Sequence, residues 1–405
     1  MSLWTDPTAQ HATPVAERAR TAHEKRTGRA PAHVASAPAT WILAGENVDH
    51  FGGATLIGLS SLRAAVAFSP RDDHQLVFAT SAPASEDVVA TAPLGEPADA
   101  DHPLAKRWGG LVHQLIQRQV LSRDTAGLDV TVVSDIPLGA GLGALWAADA
   151  AMCLALAASH AELNEAPFRA RLADIASQAV DAYSSLTGLR SRHTAALRAS
   201  GTGIAVIDYA DGSLTEAPHP GREGVRFFSV AEKFGEADDG EVERIAAHRA
   251  FIDAACANFG VTSLRKLPDA IDRVVEWVTA RRTVGDETAP TPEQARAWVH
   301  FCEAETLRSM AVAKALRSRH TNDLFSLVNS PTEARGLTLP DALVELCKTR
   351  GALAARPAAT GTSKAVLALV SVRTADEFAR TMAKDFDIVE ITPGRTACLE
   401  DAPAD

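Results

Sequence analysis

Apolar and polar residues alternate along this chain in patterns that predict both strands and helices. In the first half, β-branched and apolar runs predict strands over 41–43, 55–69, 76–80, 88–92, 128–133 and 204–209. Helical spacing of apolar residues, or an Ala- and Leu-rich composition, predicts helices over 14–27, 104–120, 144–158 and 168–185. Strands and helices are therefore mixed throughout this half.

A polar stretch over 212–224 separates the two halves. It contains Pro218, Pro220 and several glycines, so we place a domain link there, between an N-terminal domain over 1–215 and a C-terminal domain over 225–405. The second half has predicted strands over 225–230, 366–372, 388–392 and 396–400, and predicted helices over 241–259, 263–280, 292–317, 340–350 and 374–384, of which the second is interrupted by Pro268. The expected fold class is α+β, a two-domain α/β chain with a cleft between the domains.

The segment Ser134–Ala158 combines a strand end, a glycine loop and a helix that is apolar on nearly every side. The first N–H groups of a helix have no intrahelical partner, so such a loop is a natural seat for phosphate. A tight turn that only lets strand and helix pack closely also explains the pattern. The candidate nucleotide-binding residues are Pro137, Gly139, Ala140, Gly141, Leu142, Gly143 and Ala144.

Two common nucleotide motifs are excluded by what this loop lacks. No Gly-Lys-Ser/Thr ending follows it, as a P-loop requires. Gly139, Gly141 and Gly143 are spaced G-x-G-x-G, whereas a dinucleotide fingerprint has its third glycine at another offset. No acidic residue stands at a strand end about 20 residues further on, as that fingerprint also requires.

Composition and charge limit the partners. The chain has 405 residues, a formal net charge of −11 and a hydrophobic share of 46%, which allows a sizeable core and argues against general nucleic-acid binding. Its five cysteines are scattered without a CxxC pair, as in reduced cytosolic proteins. The sequence shows neither a signal peptide nor an apolar stretch long enough to span a bilayer. We therefore expect a cytoplasmic protein with no nucleic-acid and no membrane partner.

Four segments resemble galactokinases, which belong to the GHMP kinases. The segment Ala44–Gly53 is similar to the sugar-binding signature G-R-V-N-L-I-G-E-H-T-D-Y-N-G-G, and the loop Pro137–Gly143 is similar to the phosphate loop P-x-G-A-G-L-S-S-S-A. The segment His248–Arg265 is similar to R-R-x-x-C-x-x-A-A-x-x-L-G-V-x-S-L-R, and Gly351–Arg356 to the start of G-A-x-G-A-R-M-T-G-A-G-F-G-G. They follow the family's order and spacing.

This resemblance implies a GHMP kinase fold, with an N-terminal ribosomal-protein-S5-like domain and a C-terminal ferredoxin-like domain. It implies that ATP binds the glycine loop and that a sugar binds Glu46, Asn47 and Asp49, whose two carboxylates resemble the family's hydroxyl-binding pair. A polar turn that closes the loop is the other explanation for these residues.

The residues that carry phosphoryl transfer in the family are altered here. The serines of the phosphate loop become Gly143–Leu145, which removes the hydroxyl that helps to hold magnesium. The family's catalytic aspartate falls on Arg192, which cannot accept a proton at neutral pH. We therefore expect this catalytic position to be inactive. The metal-binding glutamate falls on Val180, next to Asp181, so the metal ligands are unknown.

Other altered positions have more than one interpretation. Trp146 either packs in the core or fills the nucleotide pocket. Arg192 could bind phosphate, pair with a carboxylate of the signature or lie at the surface. His193 is a candidate substitute base, and Lys364 is either an anion contact or a solvated lysine. The family's sugar-contacting tyrosine is absent, since neither tyrosine of the chain lies near 240–246.

Two functions are consistent with a retained scaffold and altered chemistry. The first is a galactokinase-like protein that binds a small sugar, a nucleotide or both with weak or absent kinase activity, as a sensor or as the partner of another protein. The alternative is an active ATP-dependent sugar 1-kinase that uses ATP and Mg²⁺ with rearranged catalytic residues. A structural scaffold with an unfilled cleft is a third interpretation.

Overall fold

The structure is a computed structural model that describes residues 4–5, 13–186, 189–235, 239–318, 321–330, 342–358 and 363–400. These residues contain both strands and helices in each half, so the expected α+β class is confirmed. The strands are β1 (Trp4–Thr5), β2 (His33–Ala44), β3 (Ala54–Pro70), β4 (Gln75–Ser81), β5 (Val88–Pro93), β6 (Leu128–Ser134), β7 (Gly203–Asp208), β8 (Ser213–Pro218), β9 (Val225–Ala231), β10 (Ala352–Pro357), β11 (Val366–Ser371), β12 (Asp387–Ile391) and β13 (Cys398–Leu399).

The helices of the described residues cover both sheets. They are α1 (Val15–Thr27), α2 (Pro103–Gln117), α3 (Ala144–Leu156), α4 (Ala166–Tyr183), α5 (Arg190–Arg198), α6 (Asp239–Phe259), α7 (Ala270–Thr283), α8 (Pro292–Ser318), α9 (Thr321–Asn329), α10 (Ala342–Thr349) and α11 (Ala375–Met382). Within the described residues, no helix is both long enough and apolar enough to cross a bilayer.

The strands form two sheets. The first has the order β13-β2-β3-β6-β4-β5, with β7 beside β3 and β8 beside β7, and the second has the order β1-β12-β9-β11-β10. The pairs β4–β6 and β1–β12 are parallel, and the other pairs are antiparallel. The parallel pair in the first sheet requires a crossover, which β5 and α2 provide.

Each end of the chain joins the sheet of the other half. β1 pairs with β12, and β13 pairs with β2. The Arg63 guanidinium fastens the second pairing, because it donates to the backbone oxygens of Arg395 and Thr396 just before β13. The division into domains over 1–215 and 225–405 stays a proposal, and these two terminal strands cross it.

Helix α3 packs against β2 and β3 and is buried from Trp146 to Leu156. Its alanines let the helix approach the sheet closely. Trp41 on β2 lies over Gly58 on β3, where an added Cβ would come within 2.3 Å of the indole ring. The glycine loop therefore leads into a helix that packs closely on the sheet, which gives the candidate site a rigid base.

Several predicted boundaries differ from the structure. The predicted interruption of the helix 263–280 at Pro268 is confirmed, since a short 3-10 helix over Leu264–Lys266 precedes α7. The predicted link over 212–224 contains β8. The sequence pattern does not predict α5, α9 or β10, and the first two residues of the predicted helix 340–350 lie outside the described residues.

Candidate functional site

The glycine loop between β6 and α3 has the predicted strand, loop and helix order. Gly139, Gly141 and Gly143 have φ angles of 75°, 69° and 68°, which residues with a Cβ adopt only at a cost. Gly143 is the N-cap of α3, which begins at Ala144. The loop thus turns the chain from the end of a strand directly into a buried helix.

Three successive carbonyl groups of this loop accept hydrogen bonds from side chains outside it. Two of the donors come from the C-terminal half and one from α5, so the loop is fastened to both halves of the molecule. The bonds are Ser363 Oγ to Gly139 O at 2.6 Å, Ser229 Oγ to Ala140 O at 2.6 Å and Arg192 Nη2 to Gly141 O at 2.9 Å.

Arg192 on α5 is fully buried, so the structure places it in the interior and not at the surface. Its Nη1 donates to the backbone oxygen of Thr40 at 2.5 Å and to the Thr40 hydroxyl at 3.0 Å. Burial lowers the pKa of Arg192 to about 10, while the nearby Glu46 favours the charged form. The guanidinium is therefore a buried cation at neutral pH, in contact with the glycine loop.

Trp146 lies in the first turn of α3 and is 4% exposed. The guanidinium carbon of Arg107 lies 4.9 Å from the centroid of its ring, and that of Arg192 lies 5.7 Å away. A cation above the face of an indole ring is attracted by the negative charge of that face. Trp146 therefore packs in the interior next to the loop, with two arginines over its ring.

Asp149, also on α3, is the centre of a buried polar network. Its carboxylate accepts hydrogen bonds from Arg107 Nη2 at 2.5 Å and from Trp108 Nε1 at 3.1 Å, and it lies 3.0 Å from His193 Nε2. Burial alone would raise the pKa of Asp149, but the Arg107 guanidinium and His193 hold it below its usual value. The carboxylate is therefore ionised and paired.

His193, the candidate substitute base, belongs to this network. It is fully buried, and its Nδ1 lies 3.0 Å from Ser177 Oγ while its Nε2 faces Asp149. Burial lowers the pKa of His193. A neutral imidazole has one donor and one acceptor nitrogen, and both are engaged here, so neither is left for a substrate hydroxyl.

The signature loop between β2 and β3 is shaped by glycines at both ends. Gly45 has φ 81°, and an added Cβ there would lie 2.0 Å from the backbone oxygen of Ala54. Gly52 has φ 86°, and Asn47 itself has a positive φ of 58°. This compact turn buries its polar side chains. The three candidate sugar-binding residues, Glu46, Asn47 and Asp49, are all less than 9% exposed.

Asp49 forms the main ion pair of the signature loop. Nη2 of Arg249, on α6, lies 2.9 Å from both carboxylate oxygens, and Nε of Arg190, on α5, lies 3.2 Å from Oδ2. Burial alone would raise the pKa of Asp49, but Arg249, His50 and Arg190 hold it well below its usual range. Arg249 and Arg190 are site residues that the sequence does not predict as partners, although Arg249 lies in a segment of the resemblance.

A second buried cluster supports the start of the loop. Glu305 on α8 accepts a hydrogen bond from the backbone N–H of Gly45 at 2.8 Å, and it pairs with Arg308. Arg356 on β10 donates from Nη1 to the backbone oxygen of Leu43 at 2.7 Å. Both cations come from the C-terminal half, so the signature loop is also held between the two halves.

The remaining positions considered in the sequence are Val180, Asp181 and Lys364. Val180 is buried in α4, whereas Asp181 and Lys364 are exposed. Residues 359–362 of the last glycine motif lie outside the described residues. Among the described residues, no group of three or more His, Cys, Asp or Glu side chains could hold a metal ion.

The family profile described as the galactokinase galactose-binding signature matches residues 21–70. This range contains β2, the loop with Glu46, Asn47 and Asp49, and β3. The predicted resemblance to galactokinases is therefore confirmed. No curated protein sequence matches the chain.

Solved kinase structures share the fold over nearly the whole chain. Lactococcus lactis galactokinase, complexed with galactose, matches with a TM-score of 0.73 at 15% identity, over 95% of this chain and 100% of that one. A D-glycero-D-manno-heptose 1-phosphate kinase from Bacteroides thetaiotaomicron gives 0.56 at 11%, over 92% and 99%. L. major mevalonate kinase in complex with R-mevalonate gives 0.54 at 15%, over 90% and 99%. The predicted GHMP kinase fold is confirmed.

Proposed function

We propose that this protein binds a small sugar at the signature loop and has weak or absent sugar kinase activity. The galactose-binding signature over 21–70 supports the sugar. So does the fold shared with Lactococcus lactis galactokinase, whose structure is a complex with galactose. A sensor or an interaction partner of another protein needs this binding and does not need turnover.

Side chains of the signature loop support hydroxyl recognition. Asn47 is buried, and its Oδ1 has no hydrogen-bond partner among the described residues. Asp49 keeps acceptor capacity beyond its bonds to Arg249 and Arg190, since a carboxylate offers about four lone-pair sites. Both are acceptors for the O–H donors of a sugar.

The proposal that phosphoryl transfer is weak or absent rests on Arg192, at the position of the family's catalytic aspartate. Phosphoryl transfer to a hydroxyl uses a group that accepts the hydroxyl proton, and an arginine cannot do so at neutral pH. Loss of a positioned base costs roughly a hundred- to ten-thousandfold in rate. The guanidinium is also bound to Thr40 and Gly141, so it is a fixed part of the wall and not a mobile group.

The described residues lack features that hold a magnesium–ATP complex in the family. No hydroxyl follows Gly143 in the loop, so the side-chain group that helps to hold magnesium and phosphate in the family is missing. A Cβ added at Gly141 would lie 2.7 Å from the side chain of Ala358, which leaves little space on that side. Should transfer occur, ATP with Mg²⁺ is the donor that the resemblance implies.

Calorimetric titration of the purified protein with galactose and a panel of related monosaccharides tests the binding. We expect at least one sugar to bind, and Asp49→Asn to weaken it by roughly tenfold or more. Asp272→Asn is the matched control, since Asp272 is exposed and distant in sequence from the loop; it leaves binding unchanged. Absence of binding for every sugar at millimolar concentrations contradicts the proposal.

A further inference from the structure

Helix α6 holds two consecutive residues of the signature loop with side chains that lie one helical turn apart. Nη2 of Arg249 lies 2.9 Å from both carboxylate oxygens of Asp49. Oδ1 of Asp253 lies 2.7 Å from Nδ1 of His50, the next residue of the loop. Because residues four apart share one face of a helix, α6 grips the loop with a single face and two oppositely arranged polar pairs.

The two oxygens of the Asp49 carboxylate are not used equally. Oδ2 accepts hydrogen bonds from Arg249 Nη2 and from Arg190 Nε, whereas among the described residues Oδ1 accepts from Arg249 alone. A carboxylate offers about four lone-pair sites, or two on each oxygen. Oδ1 therefore keeps a site for a further donor, while the bonds to the two arginines fix the direction of the carboxylate before a ligand arrives.

Arg249 also supplies the charge that balances Asp49. The side chains of Arg249 and Asp49 are 7% and 6% exposed, and a buried carboxylate without a cation is unfavourable. Burial alone would raise the pKa of Asp49, and Arg249 contributes most among the groups that lower it. The other charged or titratable groups that face Asp49 are His50 in the loop, Arg190 on α5, Tyr209 after β7, His248 on α6 and Cys302 on α8.

We infer that Arg249 is a positioning residue of the sugar site, which orients the Asp49 carboxylate so that Oδ1 accepts a hydrogen bond from a sugar hydroxyl. The inference rests on the proposed function, because it takes the signature loop as the sugar site. It adds the acceptor atom and the residue that orients it. A neutral side chain at position 249 would leave the carboxylate buried with less compensation. Asp49 would then bind a proton more readily, and a neutral carboxyl group accepts a weaker hydrogen bond.

Calorimetry with the sugar that binds most tightly, from pH 8 to pH 5, tests the inference. In the wild type Asp49 stays ionised over this range, so we expect the affinity to change by less than about threefold. In Arg249→Met the pKa of Asp49 rises towards this range. We therefore expect the affinity to decrease with falling pH, by roughly tenfold or more between pH 8 and pH 5.

Further variants separate positioning from a purely structural role. Arg249→Lys keeps the cation and should restore the nearly constant affinity. The double variant Arg249→Met with Asp49→Asn should bind weakly but with no pH dependence, because the titrating group is gone. Arg273→Met, at an exposed arginine on α7, should behave as the wild type. If Arg249→Met does not fold, Arg249→Gln, which keeps an N–H donor without the charge, takes its place.

Each contrary result has its own meaning. Wild-type affinity and a flat pH profile in Arg249→Met overturn the inference and leave the proposed function standing. A loss that is equal at every pH, and that Arg249→Lys does not restore, shows a structural role only and also overturns it. So does a pH dependence that persists without Asp49, since another group then titrates. Absence of binding by every sugar to the wild type overturns the proposed function together with the inference.

Discussion

The Nη2 atom of Arg192 lies 2.9 Å from the backbone oxygen of Gly141, in the loop that precedes α3. The same guanidinium donates to Thr40 on β2. An acceptor at position 192 would face these oxygens with lone pairs instead of N–H groups. The present loop conformation and the arginine therefore depend on each other.

We predict that Arg192→Asp, which restores the residue type that the family resemblance implies, destabilises the protein and does not create kinase activity. The carbonyls of Thr40 and Gly141 lose their donors, and an unpaired carboxylate is buried in their place. The free energy of unfolding in urea should fall by about 3 kcal/mol or more. Arg373→Asp, at an exposed position, should change it by less than about 0.5 kcal/mol. Equal effects of the two variants would show that the bonds of Arg192 are not needed.

Gly45 should tolerate no side chain. It has φ 81°, and an added Cβ would lie 2.0 Å from the backbone oxygen of Ala54, which cannot move without disturbing β3. Gly28 has φ 71° but has no atom within 4 Å of an added Cβ. Gly28→Ala should therefore cost only about 1 kcal/mol of backbone strain, and Gly45→Ala clearly more. Thermal unfolding of the two variants measures the difference, and a cost for Gly45→Ala no larger than that for Gly28→Ala would refute this account of the loop.

Asp149→Asn should weaken the fold strongly. The substitution leaves the buried guanidinium of Arg107 without its anion, and it replaces the acceptor oxygen of either Trp108 or His193, which bind different carboxylate oxygens, by an NH2 group. Removal of one partner from a buried pair typically costs about 3–5 kcal/mol. Asp272→Asn, which alters an exposed ion pair, should cost less than about 1 kcal/mol. Urea unfolding of both variants measures this, and a loss below about 1 kcal/mol for Asp149→Asn would contradict the network described here.

His248 should make stability fall as the pH decreases. Burial, and then Arg249, lower its pKa from 6.5 to about 4, so between these values the unfolded chain binds a proton that the native protein does not. The free energy of unfolding then decreases with falling pH by at most about 1.4 kcal/mol per unit. We predict that His248→Phe reduces the loss between pH 7 and 5 by about 2 kcal/mol. His300→Gln, at an exposed histidine, should leave the loss unchanged, and an unchanged pH dependence in His248→Phe would refute the prediction.

The strand, loop and helix around Gly139–Ala144 could be predicted because local composition determines them. Helix α5 could not, since RSRHTAALR is largely polar and yet residues 191–197 are buried. Arg192 and His193 are stable in the interior only because β2, the glycine loop and α3 supply their partners. The spacing of apolar residues carries no information on such distant partners.

The sequence likewise predicts one part of the candidate site and not the other. Glu46, Asn47 and Asp49 lie in one short loop, so their proximity follows from the sequence. Arg190 and Arg249 reach Asp49 from positions 141 and 200 residues away. Their pairing depends on the packing of α5 and α6 against the loop, which only the folded structure shows.

A coupled assay of ADP release, with ATP, Mg²⁺ and each sugar that binds in calorimetry, decides whether this protein is a working kinase. We predict no release above the rate without sugar, although the protein binds that sugar in calorimetry. Sugar-dependent release of ADP with formation of a sugar phosphate, abolished by Asp49→Asn and retained by Asp272→Asn, would contradict it and establish an active kinase with a different base.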